Sequence, residues 1–102
     1  MTALLPNPVV RQLKSLAQKL EPVLVLGKAG ATDGFVKSLA DALALHELVK
    51  IKFAAFQDER KTLAPQLAEK TDSHLVWIVG HVAVFYRQQP DPEKRKISVP
   101  AH

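Results

Sequence analysis

The chain has 102 residues, of which 14 are Lys or Arg and 10 are Asp or Glu, giving a formal net charge of +4; with 47% hydrophobic and 24% charged residues it reads as one globular domain. It contains no cysteine, which excludes disulfide frameworks, thiolate zinc sites and cysteine nucleophiles, and its longest apolar runs, residues 22–26 and 75–79, are far shorter than the roughly 20 residues of a membrane-spanning helix. Residues 1–6 lack the features of a secretory signal, so the expectation is a soluble cytoplasmic protein with no membrane partner and a basic tilt that favours a polyanion.

Pro6 and Pro8 flank Asn7, a candidate helix cap, and Val9, Leu13, Leu16, Ala17 and Leu20 then recur at helical spacing. A first helix is expected over residues 8–20, ended by Pro22. Val23, Leu24, Val25 and Leu26 form a short apolar run closed by Gly27, the pattern of a strand buried on both faces. Beyond the loop Gly27-Lys28-Ala29-Gly30, Thr32 can cap a second helix with the apolar stripe Phe35, Val36, Leu39, Ala40 and Leu43. Residues 48–53 alternate, with Val49, Ile51 and Phe53 on one side and Lys50 and Lys52 on the other.

A third helix uses Leu63, Ala64, Leu67 and Ala68. If Thr62 caps it, Pro65 falls in the first turn, where proline is tolerated; if Asp58 caps it, a kink is expected over residues 61–65. Residues 75–79 and 82–87 read as two strands joined by the two-residue loop Gly80-His81. The order helix-strand-helix-strand-helix-strand-strand gives an α/β fold: a mixed four-stranded sheet flanked by three helices. Two strand–helix–strand units predict parallel neighbours, the final hairpin adds an antiparallel pair, and the first helix is placed opposite the other two. The domain spans residues 1–88. Residues 89–102 form a polar, proline-rich tail with a basic patch at Lys94-Arg95-Lys96 and a short extended piece over residues 97–99.

Enzyme templates fail in turn. No phosphate-binding loop ending in Gly-Lys-Ser/Thr is present, and no Gly-x-Gly-x-x-Gly. His46, His74, His81 and His102 lack ligand spacing, Ser15, Ser38, Ser73 and Ser98 lack a nucleophile-elbow context, and the carboxylates are scattered. No catalytic residue, metal or cofactor is expected. The remaining signal is Gly27-Lys28-Ala29-Gly30, between a strand and a helix N-terminus. Two glycines allow close backbone approach, the helix N-terminus favours an anion and Lys28 adds a full charge, which suits a nucleic-acid phosphate; two glycines three apart also simply close a turn.

Other basic residues extend this signal: Arg11 and Lys14 on the first helix, Lys50 and Lys52 on one strand face, Arg60 and Lys61 before the third helix, and Arg87 closing the last strand. Each also has a plain reading as a solvated charge, and Lys50 and Lys52 one as guards against sheet–sheet pairing. Tyr86 is the expected exposed aromatic for stacking, whereas Trp77 and Phe85 belong to apolar strands and the core.

Several segments occur together: Pro22-Val23-Leu24-Val25-Leu26-Gly27-Lys28-Ala29-Gly30, His46-Glu47-Leu48-Val49-Lys50-Ile51-Lys52, Asp58-Glu59-Arg60-Lys61 and Val79-Gly80-His81-Val82-Ala83-Val84-Phe85-Tyr86-Arg87. In this order, over residues 9–87, the chain resembles a CRM domain (chloroplast RNA splicing and ribosome maturation) in its stand-alone bacterial YhbY-type form. The resemblance implies a fold similar to the C-terminal domain of translation initiation factor three, RNA binding, and association with ribosomal RNA in large-subunit precursors. It implies that Gly27, Lys28, Ala29 and Gly30 form the family's Gly-x-x-Gly loop and that Lys28, Lys50, Lys52, Arg60, Lys61 and Arg87 are its basic positions. Pro65 and the apolar stretch Ala54-Ala55-Phe56 depart from the family's pattern.

The expectation is a monomeric, non-enzymatic RNA-binding module. Its alternative is a protein-interaction module of the assembling ribosome, with Tyr86 and residues 54–56 as an apolar patch and the basic residues at its rim.

Overall fold

The computed structural model describes residues 7–88 together with Glu93. Three α-helices, α1 (Asn7–Ala17), α2 (Asp33–His46) and α3 (Arg60–Lys70), alternate with four strands, β1 (Leu24–Leu26), β2 (Leu48–Phe53), β3 (His74–Val79) and β4 (Val82–Tyr86), and a 3-10 turn, Gln57–Glu59, precedes α3. The sheet order is β1-β2-β4-β3, with β1 parallel to β2 and β4 antiparallel to both of its neighbours. The expected mixed four-stranded sheet is therefore present, but only one pair of neighbours is parallel. β3 runs in the direction of β2 without touching it, because the hairpin at Gly80-His81 returns β4 into the space between them.

Both faces of the sheet are covered. On one, Leu39 and Leu43 of α2 and Ala64, Leu67 and Ala68 of α3 pack on Leu26, Val49, Ile51, Phe53, Ala83 and Phe85. On the other, Val9, Leu13 and Ala17 of α1, four residues apart and so on one helical stripe, pack on Leu48, Val84 and Tyr86. This places α1 opposite α2 and α3, as the apolar pattern predicts. β3 reaches α1 through a bulge between Leu75 and Trp77, which lets the successive residues Val76 and Trp77 both pack on the α1 side.

Helix ends follow local chemistry. Thr32 caps α2, its hydroxyl accepting from the Phe35 amide at 3.1 Å. At the other end Glu47 turns the chain at φ 63°, its amide donating to Leu43 O, and β2 begins one residue later. α1 stops at Ala17, before the expected residue 20, and its chain tightens through i→i−3 bonds from Lys19 and Leu20.

Neither start expected for α3 is the one adopted. The helix begins at Arg60, with Glu59 at the cap position, so Pro65 lies inside it rather than in the first turn. Pro65 is exposed, as is Lys61 four residues earlier, whose carbonyl would have received the missing amide. Water can therefore solvate that carbonyl, and the buried stripe of Leu67, Ala64 and Ala68 stays intact on the opposite side. Pro65→Ala restores the backbone bond and should raise unfolding stability by up to about 3 kcal/mol, measured by urea denaturation.

Candidate nucleic-acid interface

Because β1 and β2 are parallel neighbours, their carboxyl ends lie side by side, the usual location of ligands in open α/β sheets. The loop over residues 27–30 leaves β1 there and residues 54–56 leave β2. The two are tied, since the amides of Ala54 and Ala55 both donate to Leu26 O at 3.0 and 3.1 Å. The β3–β4 hairpin closes on the same end, with the Phe53 amide donating to His81 O at 2.7 Å. α2 and α3 both start from this end.

The loop itself is a tight turn in which the Gly30 amide donates to Gly27 O at 3.0 Å, setting Lys28 and Ala29, both exposed, at its tip. Gly30 has φ +76°, which favours glycine, and a Cβ there would also press on Cε2 of Phe56 at 3.3 Å. Gly27 has no such constraint, since a Cβ there would meet nothing within 4 Å. The α2 N-terminus is partly answered by its own residues, Thr32 at the cap and Asp33 in the first turn. Lys28, not the helix dipole, is therefore the main source of positive charge at the loop.

Lys52 belongs to the same end. It pairs with Val25 on one side and Val82 on the other, and Val82 pairs with Val79. These four residues make one row across all four strands, on the α1 face but beyond the side chains that α1 covers. Val25 is 57% exposed and Lys52 is exposed. The expectation that β1 is buried on both faces is thus corrected: β1 is an edge strand, and α1 stops short of it. Lys61, in the first turn of α3, is also exposed. Arg60 beside it is half-buried and turned inward, its guanidinium donating to Gln57 O across the junction between the 3-10 turn and α3.

Two predicted basic positions are occupied elsewhere. Lys50, two residues along β2 from Lys52, donates from Nζ to Ala17 O at 3.1 Å and Leu20 O at 2.9 Å, closing the C-terminal end of α1. Arg87 lies at the opposite end of the sheet from the loop. Its guanidinium donates to Thr71 O at 2.9 Å and Ala40 O at 3.0 Å, tying the end of α3 to α2. On α1, Arg11 is exposed while Lys14 lies with Nζ 5.3 Å from the Trp77 ring centroid, a cation–π contact. The structure therefore gathers Lys28, Lys52, Arg60 and Lys61 at one end and sets Lys50, Arg87, Arg11 and Lys14 apart from it. The basic patch over residues 94–96 and the extended piece over residues 97–99 lie outside the described residues.

Tyr86, expected to be the exposed aromatic, is 2% exposed beneath α1, with its ring 6.4 Å from that of His74. The exposed aromatic is instead Phe56, 41% exposed, with φ 56° and ψ 35°. Its burial state and backbone were not legible from the sequence, which offers neither glycine nor asparagine at this left-handed position. With Tyr86 inside the core, the apolar patch imagined for a protein-docking module loses one of its four residues.

A small α/β domain with both sheet faces covered and a lysine-bearing glycine turn at the open end of a parallel strand pair is the class that these features define. The same fold is found in a Staphylococcus aureus protein solved in solution, with a TM-score of 0.78 and 33% identity over 95% of this chain and 100% of that one. The sequence profile of the CRS1 / YhbY (CRM) domain matches residues 5–87, and the chain belongs to this family. Among its relatives are a Pseudomonas aeruginosa protein named "Probable RNA-binding protein", 40% identical over 85 residues and 82% of each chain, and a Haemophilus influenzae protein named "RNA-binding protein", 38% identical over 86% of this chain and 87% of that one.

The two glycines of the turn should respond differently to substitution. Gly30→Ala is expected to lower stability by about 1–2 kcal/mol in urea unfolding, while Gly27→Ala should stay within about 0.5 kcal/mol of the wild type. Lys50→Met should cost about 1–2 kcal/mol through loss of its two carbonyl partners, with faster amide hydrogen exchange confined to the last turn of α1.

Proposed function

We propose that this CRM protein is a non-enzymatic RNA-binding protein whose target is ribosomal RNA in precursors of the large ribosomal subunit, which it engages in the cytoplasm as a monomer. The RNA-binding names of its relatives support the general reading. The observation that carries the site is Lys28, exposed at the tip of a glycine-bounded turn, with Lys52 and Lys61 exposed at the same end of the sheet. The lysines neutralise backbone phosphates and release condensed counterions, so affinity falls steeply with salt. Gly27 and Gly30 leave both ends of the turn without a Cβ, so a strand can approach its backbone there. Arg11, on the exposed side of α1, is a peripheral contact. Lys50, Arg60 and Arg87 contribute by holding the end of α1, the start of α3, and the end of α3 against the middle of α2 in place.

Lys28→Ala should lower the slope of log affinity against log salt by about 0.7–0.9, one phosphate's worth, and weaken binding by a similar factor for RNAs of different sequence. An unchanged slope and affinity would make the loop a turn and nothing more. Crosslinking in cells followed by RNA sequencing tests the target: enrichment of large-subunit ribosomal RNA is expected, and its absence would reject the ribosomal assignment.

A further inference from the structure

We propose that Phe56 is a base-stacking residue, receiving an unpaired base from the RNA strand whose phosphate is held at Lys28. The proposal rests on the RNA-binding reading above and adds to it a contact made with a base. An aromatic side chain with φ 56° is an outlier, because the left-handed region crowds any Cβ and is adopted mainly by glycine and asparagine. Such a backbone persists only where its surroundings hold it, and here they do. The Glu59 amide donates to Phe56 O at 3.1 Å, the Gln57 side chain donates to Phe53 O at 3.3 Å, and the amides of Ala54 and Ala55 anchor the preceding residues to Leu26 O. The result is a large apolar ring fixed on a bonded turn and left 41% open to solvent.

Position sets what the ring meets. One ring edge, Cε2 and Cζ, lies against Gly30, the last residue of the phosphate turn, where a Cβ would stand 3.3 and 3.6 Å from those atoms. A strand whose backbone runs from Lys28 across Gly30 therefore passes beside Phe56. Residues 54–59 around it line an open, largely polar pocket of about 390 Å³, and they include the exposed Asp58 and Glu59. Those charges keep a phosphate off the ring itself. The lysine turn and the ring thus differ in chemistry, one cationic and suited to the backbone of a nucleotide, the other apolar and suited to its base. Stacking of this kind tolerates any base and depends little on hydrogen-bond readout.

The test uses the full chain and a short mixed-sequence single-stranded oligoribonucleotide carrying 2-aminopurine, whose fluorescence is quenched by stacking. Phe56→Leu should weaken binding about 10-fold and remove the quench while leaving the salt slope at the wild-type value, since the ring neutralises no phosphate. Phe56→Trp should restore both. Phe56→Asn, which suits the left-handed backbone, should melt no lower than the wild type and still bind as weakly as Phe56→Leu, which separates loss of the ring from loss of the fold. Wild-type affinity and quenching in Phe56→Leu would overturn the proposal, including the case in which the ring docks a protein. If Lys28→Ala alters the slope as expected while Phe56→Leu changes nothing, stacking fails and the phosphate reading survives; if neither substitution has an effect, both fail.

Discussion

The burial of the β2–β4 ladder from both sides is the constraint on which the rest of the molecule depends. Val49, Ile51, Phe53, Ala83 and Phe85 face α2 and α3, while Leu48, Val84 and Tyr86 face α1, and all are almost fully removed from water. Side chains of this size each contribute about 1.5–3 kcal/mol when fully buried, so these two strands alone supply most of what joins the helices to the sheet. Central strands with neither face open cannot carry a binding surface of their own, apart from the last residue pair of the ladder, where Lys52 and Val82 escape the cover of α1. Recognition is displaced to the ends of the strands and to the loops that leave them.

A charge count and a charge surface differ here for a physical reason. Helix termini and strand ends expose backbone carbonyls that need donors, and a cation on a long stem is an effective one. Lys50 and Arg87 serve three such carbonyls, those of Ala17, Leu20 and Thr71 at the ends of α1 and α3, and Arg87 also reaches Ala40 O within α2, so their charge acts on the fold. Lys52 has the same residue type, strand and face as Lys50. The two differ only in what lies above them: the end of α1 over one, solvent over the other.

That difference marks the limit of what the sequence makes legible. Period-two alternation over residues 48–53 identifies β2 and its faces, and the stripes of α1 and α2 identify the sides they bury, because both signals are local. Pairing order is not local. Nothing in residues 74–86 says that β4 returns between β2 and β3, and so nothing says that Tyr86 lies under α1 and not in solvent. The turn at Gly27–Gly30 and the positive charge of Lys28 were readable, whereas Phe56 was not: its prominence comes from a left-handed backbone imposed by bonds to β1 and by the turn ahead of α3. Element order and the family resemblance agree on the fold and the loop, and the departure at residues 54–56 coincides with the exposed aromatic.

Gly30 and Phe56, although 26 positions apart in the chain, constrain one another. A Cβ gained at position 30 would stand 3.3 Å from Cε2 and press the ring aside by a few tenths of an ångström, whereas a smaller residue gained at position 56 leaves the glycine undisturbed. The two demands on position 30 are therefore separable: losing the ring relieves the close contact, while φ +76° still disfavours any side chain there.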